Sequence, residues 1–87
     1  MEIIKYLSKG QESRKKVKLL LSLTSTKENI QDGIYDHLVG NFSISQSAML
    51  NDLKSNNLSV AVTELNKIAE VMEKLFEEKV YDKTHTK

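Results

Sequence analysis

Between Leu58 and Phe76 an apolar stripe runs through Leu58, Ala61, Val62, Leu65, Ile68, Ala69, Met72, Leu75 and Phe76. Steps of three and four residues place them along one side of a helix, and the stripe is wide enough to meet more than one neighbour. A second apolar cluster, Val17-Lys18-Leu19-Leu20-Leu21-Ser22-Leu23, follows directly on Arg14-Lys15-Lys16. No segment alternates in the way a half-buried strand does. A chain of this kind has much helical surface and little room for an enclosed site. The expectation is an all-α protein that works by contact.

Size narrows the choice. Eighty-seven residues suffice for one domain and fall short of two. The absence of Cys removes disulfide and thiolate staples. The absence of Pro leaves long helices permitted. A hydrophobic fraction of 39% is compatible with folding. No stretch approaches the roughly 18 apolar residues that span a bilayer. The basic-then-apolar order at 14–23 lies too far into the chain, and is too short, to read as a secretion signal.

The net charge of +1 conceals an uneven distribution. Lys5, Lys9, Arg14, Lys15, Lys16 and Lys18 face only Glu2 and Glu12 in residues 1–26, whereas acids dominate residues 27–78. A basic N-terminal helix beside an acidic C-terminal one is an orientation that charge would favour.

Turn and cap signals divide the chain. Residues 1–11, with Ile3, Ile4 and Leu7 before Gly10, read as a lead-in or short helix. Residues 12–81 read as a single helical domain, and 82–87 as a flexible tail. Ser25 with Glu28, and Ser43 with Gln46, have capping-box spacing. Gly40-Asn41 is the strongest turn signal, and Ser55-Asn56-Asn57 is a further candidate break. Two architectures fit. One is an antiparallel helical hairpin with a central turn near 39–43, whose large exposed surface suits a dimer. The other is a compact four-helix bundle with breaks near 24–26, 39–43 and 55–57.

Groups that could do chemistry are few. His85 sits in the expected tail, and His37 reads as a polar residue near a helix C-terminus, favoured there by the dipole. Glu28, Asp32 and Asp36 share a helix face, without the Glu-x-x-His companions of a bundle metal centre. No phosphate loop, calcium loop or zinc ligand set is present. The expectation is no catalysis and no cofactor. Arg14, Lys15, Lys16 and Lys18 are candidate contacts for an anionic partner. Neither interleaved aromatics nor a matching recognition helix accompanies them, so the sequence argues against both nucleic acid and membrane as partners.

Two helical arms hinged near the midpoint of a chain this long resemble the WXG100 (ESAT-6-like) proteins and the small helical partners of LXG toxins. Both groups belong to type VII secretion. Leu38-Val39-Gly40 stands where the WXG100 family carries Trp-x-Gly, with Phe42, Ala48, Met49 and Leu50 beyond it. The likeness covers about 12 to 80. That family's C-terminal Tyr-x-x-x-Asp/Glu pattern would start at Tyr81, but His85 takes the place of the acid. The resemblance implies a structural role for the hinge residues Leu38, Gly40 and Asn41, and apolar stripes that pair subunits.

Together these readings predict a non-catalytic helical interaction module, a secretion-associated partner or adaptor, binding another protein or itself as a homo- or heterodimer. Its interface is expected at Leu20, Leu58, Val62, Leu65, Ile68, Met72, Leu75 and Phe76. The alternatives are a small inhibitor or immunity-type bundle and a DNA-contacting regulator using residues 14–18. Localisation is expected to be cytoplasmic, or exported with a partner by a route independent of a signal peptide.

Overall fold

Helices of seven to eleven residues are too short to persist alone in water, so they form only where something packs against them. Three such helices occur among the described residues: α1 (Arg14–Leu21), α2 (Glu28–Leu38) and α3 (Ile44–Leu50). Each is held against the long α4 (Ser55–His85). The structure is a computed structural model that describes residues 6–85, with side chains as far as Phe76. No strand occurs among the described residues, so the fold is all-α. The expected lead-in and tail lie partly outside this range, as does the side chain of His85.

Local chemistry sets the helix ends. Ser13 caps α1 by accepting a hydrogen bond from the Lys16 amide at 3.1 Å. The helix stops after Leu21, whose carbonyl accepts from the Thr24 hydroxyl at 2.9 Å. The capping box expected of Ser25 and Glu28 does not form. Glu28 is the first residue of α2, preceded by Lys27 with no side-chain cap. A capping-box carboxylate belongs two positions further in. The loop is fixed instead by the Thr24 and Thr26 hydroxyls, 2.7 Å apart, and by Gln31 Nε2 donating to the Thr26 carbonyl at 2.7 Å. The box at Ser43 and Gln46 is present and opens α3.

The break expected at 55–57 lies at 51–54, and Ser55-Asn56-Asn57 is the first turn of α4. Asp52 adopts a left-handed backbone (φ 58°), which ends α3. Asn51 Nδ2 donates to Asp36 Oδ2 and to the Ser47 carbonyl, both at 2.8 Å, and so ties this corner to α2.

One core joins the elements. Val17, Leu20 and Leu21 come from α1, Ile34 and Leu38 from α2, Ala48 from α3, and Leu58, Leu65 and Ala69 from α4. The apolar run at 17–23 is split by the helical turn. Leu19 points away from the buried Val17, Leu20 and Leu21, and is exposed together with Leu23. Gly33 lets α2 approach α4 closely, since a Cβ there would stand 3.1 Å from a methyl of Leu58 and from one of Leu53.

The segment before α1 belongs to the fold as well. Leu7 is buried, and the amides of Tyr6 and Leu7 both donate to Asn66 Oδ1 on α4, at 2.9 and 3.0 Å. Further along, the Gly10 and Glu12 amides donate to the carbonyls of His37 and Leu38, each at 3.1 Å. These carbonyls are at the end of α2, where the helix itself supplies no partner. Gly10 is left-handed (φ 68°) and lies so close to Asn41 that any side chain at position 10 would run into it.

Leu65→Ala is expected to lower the unfolding free energy by about 2–5 kcal/mol, measured by urea denaturation. Gly10→Ala should also destabilise, through backbone strain and the collision with Asn41. Adding Asn41→Gly should recover part of that loss. Strictly additive losses in the double variant would show that the two residues do not collide. Ser47 is fully buried and its hydroxyl has no hydrogen-bond partner among the described residues. Ser47→Ala should therefore be neutral or stabilising, because it removes a desolvated polar group.

Candidate protein-interaction surface

The apolar stripe of α4 divides into two parts. Leu58 and Leu65 of the expected interface residues are sealed in the core, and Leu20 of α1 is buried against the same core, reaching the surface only at the bottom of a groove beside α4. Val62 and Ile68 are half-buried against the same core. Met72, Leu75 and Phe76 continue the spacing but are 48%, 58% and 67% exposed. The physical reason is length, since the short helices cover only the first part of α4.

Where coverage ends, α1 and α4 enclose an open groove of about 370 Å³. Leu20 and Ala69, both buried, form its floor, and Leu19 and Met72 form its walls. Lys15 and Lys16 stand on the α1 side, and Glu73 on the α4 side. Two larger grooves exist, of about 570 and 630 Å³, each with several hydroxyl and amide side chains in its lining. The groove at Met72 differs in running out onto a bare apolar stripe.

The basic cluster is dispersed rather than presented as a unit. Lys16 is half-buried and pairs with Glu12 at 2.9 Å. The Arg14 guanidinium lies 4.6 Å from the centroid of the Tyr35 ring, within cation–π range. Lys15 and Lys18 are exposed and have no ion-pair partner among the described residues.

The hinge residues occupy the α2–α3 turn. Leu38 is buried as the last residue of α2, while Gly40 and Asn41 are exposed. Asn41, not Gly40, takes the left-handed backbone (φ 69°). At Gly40 the requirement is space, because a Cβ there would stand 2.8 Å from the Asp36 carbonyl oxygen. His37 Nδ1 donates to the Phe42 carbonyl at 2.8 Å, which closes the same turn. Asn66 and Gly33 were not singled out from the sequence. A lone Gly between Ile30 and Ile34 was a signal of close helix approach, whereas Asn66 gave none.

No family model matches the chain, and neither the curated proteins nor the solved structures contain a match. No helix among the described residues is long and apolar enough to cross a membrane.

Side chains that rest in solvent contribute little to folding. Leu75→Ala and Phe76→Ala should change the unfolding free energy by no more than about 0.5 kcal/mol, against the much larger loss for Leu65→Ala. A loss above about 2 kcal/mol in the same urea titration would mean that these side chains are buried after all.

Proposed function

We propose that the chain is a non-catalytic helical module that binds a protein through the exposed end of the α4 stripe, its four helices forming a compact bundle rather than a two-arm hairpin. The observation that carries this reading is the exposure of Met72, Leu75 and Phe76 in register with the buried Leu58, Leu65 and Ala69. Scattered surface apolar residues are ordinary, but a contiguous stripe beside an apolar groove is how interfaces are built. The bundle reading is supported by breaks at 22–27 and 51–54 in addition to the central turn. A secretion-associated partner or adaptor is a role within this reading, although four helices in place of two arms leave Leu38-Val39-Gly40 to carry the likeness that implies it.

The DNA-contacting alternative would use the outer face of α1. With Lys16 engaged by Glu12 and Arg14 over Tyr35, that face offers Lys15 and Lys18 as its unengaged cations among the described residues. This is a thin set for neutralising phosphates.

Immobilised wild-type protein should retain a specific partner from an extract of its own cell. Phe76→Asp and Met72→Asp should each lose it, while Asn57→Asp, an exposed change elsewhere on α4, should not. Retention unaffected by both stripe variants but abolished by Lys15→Ala with Lys18→Ala would move the function to the basic face.

A further inference from the structure

We propose that the groove between α1 and α4 is the seat of a second copy of this chain, related by a two-fold axis, with Lys15 of each copy against Glu73 of the other. The inference rests on the reading that the exposed stripe binds a protein, and it names that protein. The groove has a cation on its α1 rim and an anion on its α4 rim, with an apolar floor between them. Lys15 and Glu73 are both exposed and have no ion-pair partner among the described residues.

In a two-fold contact a patch meets its own reversed copy. Opposite rims therefore face each other, and the Lys15–Glu73 pairing occurs twice. A uniformly acidic partner would satisfy Lys15 and repel Glu73, and a uniformly basic one would do the reverse. The patch is thus self-complementary in charge as well as apolar in its centre. Exposed ion pairs of this kind select register and partner more than they add affinity.

The apolar area fits a reversible dimer. Leu19, Met72, Leu75 and Phe76 are each about half exposed or more. Half-exposed side chains of this size offer on the order of 100 Å² apiece, so two copies would bury roughly 800 Å² of apolar surface before rim contacts are added, below the standard size and in the range of weak, transient contacts. A contact of this size is expected to associate weakly and reversibly, with its strength set by packing and charge pairing rather than by area.

Sedimentation equilibrium of the full chain from about 10 µM to about 1 mM should show the mass rising from 9.9 kDa towards twice that value. Lys15→Glu alone and Glu73→Lys alone should each weaken self-association by about tenfold, since each sets like charges against one another. An equimolar mixture of the two variants should recover wild-type affinity, because both reciprocal pairs become attractive again. A strict monomer across the range would overturn the proposal, as would a mixture that associates no better than its components. Deleting Met1–Lys5 should leave the dimer within about twofold of wild type. Self-association gained only on that deletion would make the chain's own N-terminal segment the occupant and also overturn it. A strict monomer that still captures a different protein through Met72 and Phe76 would remove the second copy while leaving the proposed function standing.

Discussion

Leu58, Leu65 and Ala69 lie along one line of α4, and every other helix is held against that helix. The three partners are individually too short to persist, so their helicity and their positions both derive from this single apolar line. Close approach matters as much as burial. The missing side chain at Gly33 brings α2 down onto Leu58, and Ala48 and Ala69 supply small side chains where helices meet. Interiors packed at this density respond to the loss of even a few methyl groups.

The same line extends past the point where its covering ends. Up to Ala69 it builds the core, and from Met72 onward it builds a surface. One periodic pattern therefore runs through both core and surface, and the division is set by where the short helices stop. Nothing about Met72 or Phe76 as residues distinguishes them from Leu65.

This explains what the sequence could convey. Helical spacing at 58–76 identified the stripe, and Ser43 with Gln46 identified the start of α3, because periodicity and capping are local. Whether a stripe residue is buried depends on a partner distant in the chain, which local pattern does not encode. Spacing alone therefore places Leu58 and Leu65 on the same footing as Met72 and Phe76, although the first two lie in the core. The break at 51–54 was displaced to 55–57 for a related reason. Asp52 takes a backbone that Asn-Asn appeared better suited to adopt, and the corner is held by Asn51 bonding to Asp36 on another helix. Asn66 was invisible for the same cause, since its two bonds reach residues about sixty positions away.

That last separation bears on the order in which the molecule assembles. Hairpin-like contacts between successive helices close short loops, whereas the Tyr6 and Leu7 bonds to Asn66 close a loop spanning most of the chain. Long loops cost more entropy to close and reward the chain only after both ends are in place. On loop closure the bonds of Tyr6 and Leu7 to Asn66 are expected to form late, whereas those of Gly10 and Glu12 to the His37 and Leu38 carbonyls span a much shorter stretch of chain. The central turn, closed locally by His37 and Phe42, can thus be in place before the N-terminal end of the chain reaches α4.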